Sequence, residues 1–480
     1  MKMTIILFTM LISATCNANP PLVNLVGKWK SLGGGWILSI DEEGNYIKYD
    51  TTTTSCLLNT KGELTDYDSN IRISDSDLIV KEGIADYFYK RINILPEQCL
   101  IQLTEENRND PLFNFEVFAN TVEEHYAFFE LNNINWSSLR DKQRKKLSEE
   151  STSLDLYKVI DETLTLVNDN HGFLAADQLT EALFDSEMEK ESLQGDPPAS
   201  KEYGDFEVAN LVSKHHITER MTSETAIVEW GKVDDNTGYL LIKSMWLYAD
   251  LMIEKARIDN IGYINAYVES RHNLNEADYI SKEVQGVRRV MKRVIADLAE
   301  VEKLVVDLRF NGGGQDAVSL EILSWLTRET GPIAIRKLRD GHAFSPQQII
   351  GLEPKDNAFG GELYVLTSSQ TGSAAEFFAL ATLSVNNAIN MGTPTQGALS
   401  TSLQKRLPND WSFAISNEIY SDLEGNFFEN IGVPVDRKFD YEHRRQLFFK
   451  QVVKDLDADW LKIQRGMHKL NDSNSNPRDL

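Results

Sequence analysis

Metal-binding patterns are missing from this sequence: three cysteines and eight histidines in 480 residues show neither HExxH nor CxxC spacing, so no four-ligand centre is expected. The glycines never fall as GxGxxG, and no lysine follows a glycine loop as in a phosphate-binding motif, so no cofactor is expected either. Positive charge is scarce. Lys and Arg number 49 against 73 Asp and Glu, a formal charge of -24, which argues against a nucleic-acid partner, since such a partner needs clustered cations. Long apolar runs are absent beyond the first residues, where Met3 to Ala14 is shorter than the roughly 20 residues that span a bilayer, so no transmembrane segment is expected. Lys2, that run and the small residues ending at Ala18 instead read as an export signal over 1–18, which predicts a periplasmic or secreted protein. Acylation of Cys16 is the weaker alternative, because Thr15 replaces the small residue usual before a lipid-bearing cysteine. Cys56 and Cys99 remain; a bridge between them would contribute roughly 4 kcal/mol in the chain-entropy model, and two free buried thiols are an equal alternative.

What is present describes a folded protein of several cores, with 41% hydrophobic and 25% charged residues. Short apolar alternations such as Trp36 to Ile40 and Leu78 to Val80 predict a small antiparallel β domain over 19–108. Over 109–176 the period changes: Phe115, Phe118, Val122, Tyr126 and Phe129, then Leu154, Val159, Leu164 and Val167, recur at helical steps and read as packing stripes. The stretch 177–236 is polar, with Pro197-Pro198, and reads as a linker or partial subdomain; the loop runs from Asp185 to Gly204. Within it His215 and His216 have no partner motif and are expected at the surface. From 237 to 445 strands and helices alternate, with an apolar stripe Ile280, Val284, Val287, Met291, Val294 and Leu298 on one long helix, which predicts a layered α/β core with crossover connections. A C-terminal helix and polar tail fill 446–480.

Two turns in that core carry chemistry. Ser373 follows the apolar strand Leu363 to Leu366 and precedes Ala374-Ala375-Glu376-Phe377-Phe378-Ala379, which exposes a hydroxyl at a helix N-terminus where free N–H groups favour negative charge. A capping box with Glu376 explains the same local pattern. Leu304 to Arg309 is likewise a strand, broken by Asn311-Gly312-Gly313-Gly314, and glycines let backbone N–H groups approach an oxyanion.

Taken in order, Val305 to Gly313, Gly372 to Glu376, Gly392 to Gly397 and Glu429 to Asp436 resemble the S41 serine peptidases, which include the tail-specific or C-terminal processing peptidases and the tricorn core. The resemblance implies a layered α/β, crotonase/ClpP-like peptidase core, polypeptide substrates and a Ser373 nucleophile. In the processing branch the base is a lysine directly after a glycine equivalent to Gly397; here Ala398 stands there, and Lys405 would need a shifted alignment. In the tricorn-like branch a histidine from the preceding helical segment serves, and Val167 to Phe173 resembles its Asp-x-His turn, which assigns His171 as base. Phe428 to Gly432 resembles the segment that supplies a glutamate, assigning Glu429, with Glu424 as the nearby competitor. Asn170 stands where the tricorn pattern has serine, an auxiliary position. The N–H groups of Ala374 and of Gly313 or Gly312 would form the oxyanion hole. No Gly-Leu-Gly-Phe-like carboxylate loop lies between Leu174 and Asn236, so a complete PDZ domain is not expected. A Ser-Lys dyad, an inactive ligand carrier on the same scaffold and an esterase are the alternatives, although the Gly-x-Ser-x-Gly elbow is lacking. Oligomeric state is left open.

Overall fold

The computed structural model describes residues 20–176, 179, 201–222, 226–272 and 274–468. The export signal, most of the Asp185 to Gly204 loop and the polar tail after residue 468 lie outside these residues.

The chain opens with seven antiparallel strands, β1 (Gly27–Ser31), β2 (Trp36–Ile40), β3 (Asn45–Thr51), β4 (Cys56–Glu63), β5 (Ile71–Ser74), β6 (Asp77–Glu82) and β7 (Ala85–Ile92), in the order β4-β3-β2-β1-β7-β6-β5. Period-2 burial puts Trp29, Leu38, Ile40, Leu78 and Val80 into one small core. Cys56 and Cys99 form a disulfide that ties β4 to the segment after β7, so the bridged alternative holds.

After a single short turn of helix (Glu105–Asn109) come three longer helices: α1 (Pro111–His125), α2 (Trp136–Arg144) and α3 (Ser153–Val167). Phe115, Phe118 and Val122 lie buried on α1 as their spacing predicts, while Tyr126 caps that helix and Phe129 lies beyond it, both in the same core. Asn168, in the left-handed region (φ 54°), ends α3, and the chain turns into the short strand β8 (Phe173–Ala175).

The stretch read as a linker is in part core. Residues 205–216 form α4 (Asp205–His216), and β9 (Glu219–Arg220) and β10 (Val228–Asp234) extend the central sheet. Its polar residues disguised this, because the apolar part of what α4 buries is only Val208, Ala209 and Val212 beside Ser213 and His216. The sheet continues with β11 (Thr237–Ile242), then α5 (Glu276–Asp297), β12 (Lys303–Asp307) and α6 (Asp316–Leu326). An excursion through β13 (Gly331–Asp340), β14 (Ala343–Phe344) and β15 (Gln348–Leu352) precedes β16 (Glu362–Thr367), α7 (Ala374–Thr382) and β17 (Ala388–Gly392). Then come β18 (Ser402–Arg406), β19 (Ser412–Ser416), β20 (Glu418–Ser421), β21 (Arg437–Lys438), α8 (Arg445–Lys454) and α9 (Leu456–Met467).

The central order is β21-β17-β16-β12-β11-β10-β9, parallel from β11 through β21 with an antiparallel edge. Both faces are buried, which is why its strands read as unbroken apolar runs. Leu240, Val306 and Val365 face the layer of α5, α6 and α7, whereas Tyr239, Val305 and Tyr364 face that of α4, α8 and α9. The layered α/β core behind a helical segment and an N-terminal β domain agrees with the expectation from the sequence.

Candidate active site

β12 and β16 are hydrogen-bonded neighbours in register, Asp307 opposite Leu366, so the turns leaving their carboxyl ends must meet. Four bonds join them: Leu308 N–H to Leu366 O (2.9 Å), Thr371 Oγ1 to Leu308 O (2.9 Å), Gly372 N–H to Asn311 O (3.0 Å) and Ser368 Oγ to Arg309 O (2.6 Å). Gly313, at φ 107°, lies so close to the serine that a Cβ there would stand 2.7 Å from both the Ser373 Cβ and the Gly372 O. Glycine at 313 is therefore a requirement of that approach.

Ser373 heads α7 with φ 51° and ψ -123°. An ordinary N-cap residue lies in the β region, and a non-glycine residue held here costs on the order of 1–3 kcal/mol. The capping explanation therefore accounts for only half of the turn: the Glu376 carboxylate does accept the Ser373 N–H (3.0 Å), but the serine backbone is strained. Glu376 does more than cap. Fully buried, it also accepts Thr395 Oγ1 (2.6 Å), Gly397 N–H (2.6 Å) and Ala398 N–H (2.7 Å), fastening the serine turn to the 395–398 loop, and burial pushes its carboxyl up. A single carboxylate inside the run Ala374 to Ala379 is the sequence signal that could have revealed this role.

His171 reaches the site through strand pairing. β8 pairs with β19, which pairs with β18, so the turn just before β8 is carried beside the end of β19 across about 240 residues of sequence. Ser373 and His171 line one cleft of about 520 Å³, together with Leu399, Ser400, Asn417 and Tyr420. Its far wall comes from the β domain, with Trp36, Lys48 and the β6–β7 hairpin around Gly83. The His171 Nδ1 is buried without a partner, which leaves Nε2 to the cleft. Burial holds the imidazole pKa below its usual value, and the Asp169 charge partly offsets this.

The other expected residues separate. Glu429 is buried and accepts the Leu399 and Ser400 N–H groups (3.0 Å each), so it touches the loop lining the cleft rather than lining it; burial, with Glu376 and Asp169 nearby, pushes its carboxyl up to about 8. Glu424 is exposed in the turn at Asp422 to Asn426, which removes it as a competitor. Asn170 donates to Gly397 O (2.7 Å) and to Asn430 Oδ1 (3.1 Å), tying the histidine turn to the two loops behind Ser373. Ala374 is the first residue of α7, and its N–H has no intrahelical acceptor. The Gly313 N–H is already given to Asn311 Oδ1 (2.9 Å), whereas Gly312 is exposed and donates to no protein acceptor among the described residues.

One expectation needs correction. His215 and His216 end α4, and His216 is buried: its Nε2 lies 3.3 Å from Asp459 Oδ2 and its Nδ1 3.1 Å from the His215 Nδ1. The partner carboxylate comes from α9, more than 240 residues away, so local polarity misled. Lys405 lies outside the cleft lining; its Nζ is buried against Asp50 Oδ1 (2.5 Å) and Gly35 O (3.2 Å) of the β domain.

Residues 260–439 match the model of peptidase family S41, and residues 108–165 match that of the tricorn protease C1 domain. Among solved structures, a candidate peptidase from Parabacteroides merdae is 17% identical over 72% of this chain and 96% of its own, at a TM-score of 0.51. Mature CPAF is 10% identical over 76% of this chain and 99% of its own, also at 0.51. At these identities the likeness is one of fold.

Proposed function

We propose, for a chain that belongs to peptidase family S41 and is a serine peptidase, that Ser373 attacks the peptide carbonyl while His171 accepts its proton and returns it to the leaving amine. The observation that carries this reading is the strained positive-φ turn presenting Ser373 at a helix N-terminus, on the same cleft as a histidine with a free nitrogen. The developing oxyanion is met by the Ala374 N–H and the Gly312 N–H, the two donors near the serine that are not already used. Glu429 assists by holding the 399–400 loop, and Asn170 by fixing the histidine turn. A histidine base is supported further by Lys405, whose ammonium is committed to Asp50.

The substrates are unfolded or short polypeptides, cleaved internally or processed at a carboxyl end outside the cytoplasm. Export rests on the 1–18 signal and on the Cys56–Cys99 disulfide, a bond that persists in oxidising compartments. Ser373→Ala tests the whole reading: casein hydrolysis and fluorophosphonate labelling are lost while the melting temperature stays within a few degrees, and retained hydrolysis rejects it.

A further inference from the structure

Beyond the Ser373–His171 pair lies Asp169, the carboxylate of the Asp-x-His turn, to which neither the motif nor the family matches give a role. We propose that Asp169 is the positioning residue of His171, pinning the histidine turn to the end of β19 and placing a carboxylate beside the histidine. The inference rests on the reading of His171 as the base.

Both oxygens of Asp169 are committed, and all their partners bear on the histidine turn. Oδ1 accepts the His171 N–H (3.1 Å) and the Ser416 Oγ–H (2.5 Å), and Oδ2 accepts the Ser416 N–H (2.6 Å). Ser416 is the last residue of β19, its carbonyl accepts the Ala127 N–H (3.0 Å) just after α1, and its neighbour Asn417 lines the cleft. One side chain thus joins the exit of α3 to the strand end beside the cleft, bridging 247 residues of sequence. β8 pairs with β19 only from residue 173 onward, so without Asp169 the residues between α3 and Phe173 would be tied to the rest of the protein, among the described residues, only through Asn170 and through Asn168, whose carbonyl accepts the Asn132 Nδ2–H (3.4 Å).

The charge argument is separate from the clamp. Four ionisable groups gather around this turn: Asp169 itself, Tyr126 from the end of α1, Glu429 and, beyond it, Glu376. The Tyr126 phenol is pushed up and stays neutral. Glu429, pushed to about 8, is mostly protonated at neutral pH, and its Oε2 is turned to Leu399 and Ser400. Asp169 is the anion that acts on His171, opposing the burial that lowers the imidazole pKa. An imidazole at a desolvated site is a weak base without such a neighbour, and the imidazolium formed during attack would lack a counter-charge.

The experiment follows the rate of Ser373 inactivation by a fluorophosphonate, and kcat/KM on a peptide, against pH in Asp169→Asn, Asp169→Glu and Ser416→Ala. Asp169→Asn lowers both rates by about tenfold to a hundredfold and moves the acidic limb to lower pH, because removing a negative charge makes the imidazole harder to protonate. Ser416→Ala weakens the clamp but keeps the charge: the rate falls and the limb stays. Asp169→Glu keeps the limb near the wild-type position and restores part of the rate. A limb unmoved in Asp169→Asn, or moved equally by Ser416→Ala, reduces Asp169 to a loop clamp and overturns the proposal. If Asp169→Asn does not fold, Asp169→Glu decides: a limb displaced to lower pH despite the retained charge overturns it. Ser373→Ala separates the two levels, since activity surviving there removes the peptidase reading itself, whereas an inert Ser373→Ala with an unmoved limb in the Asp169 variants removes only this inference.

Discussion

His171 is half-buried at the cleft and His216 fully buried, and desolvation holds both imidazole pKa values below the usual one. Their surroundings differ in one respect. Both ring nitrogens of His216 are engaged, with His215 and with Asp459, and Asp459 in turn binds Arg309, which binds Asp307 and Tyr441. His171 has no side-chain partner for Nδ1 and borders open space. Buried polar groups with complete partners hold a fold together, whereas one left incomplete beside a cleft is available to a substrate. The same contrast separates Lys405, paired in the seam between β domain and core, from the strained Ser373.

The contrast is broken most directly by exchanging the two histidines' fates. His171→Ala should lower kcat on casein by about 10³-fold or more with little change in melting temperature. His216→Ala should keep turnover per folded molecule within a few-fold and cost about 1–3 kcal/mol of stability, because Asp459 loses a partner. Larger in its effect on stability is Arg309→Met, which leaves Asp307 and Asp459 buried without their cation and should cost about 3–5 kcal/mol by denaturant unfolding. Lys405→Met strands Asp50 in the same way and should cost about 3 kcal/mol; hydrolysis at temperatures where the variant is folded should persist, and its complete loss would revive a lysine base.

Smaller effects sharpen the picture. Glu429→Gln mimics a carboxyl already protonated near neutrality, so kcat/KM should fall by less than about tenfold at pH 7 and by more at pH 9, where the wild-type group ionises. For His216 the sign runs the other way from a salt-bridged histidine. Burial, reinforced by Arg309, outweighs the pull of Asp459 and Asp307, so the unfolded chain binds this proton more readily than the folded one. The stability it contributes is present above about pH 6.5 and is lost as the pH falls through the lower folded value. Thermal unfolding of wild type and His216→Gln between pH 7 and 5 should show the steeper decline in wild type.

Much of the fold is legible along the chain because its signals are local. The doubly buried strands β12 and β16 are short apolar runs, α5 carries a stripe that ends at its cap Leu298, and the glycine and serine turns follow their strands directly. Local reading failed where a neighbour distant in sequence decides burial. α4 looks polar until α8 and α9 cover it, and His216 looks solvated until Asp459 arrives. Tyr126 and Phe129 keep helical spacing, yet Tyr126 caps α1 and Phe129 falls beyond it, because the core needs their rings rather than one more helical turn.

By itself, the sequence determined the setting of the proposed nucleophile: an apolar strand, a Gly372 turn and a helix start place Ser373 at the carboxyl edge of a parallel sheet, and Ala398 removes the expected lysine. These follow from backbone preferences within a few residues. Only the tertiary structure decided which groups Ser373 works among. The β8–β19 pairing brings His171 to the cleft, the Asn311 side chain takes the Gly313 N–H, and Asp169 meets Ser416, because hydrogen-bond partners and desolvation are set by what packs nearby in space rather than along the chain.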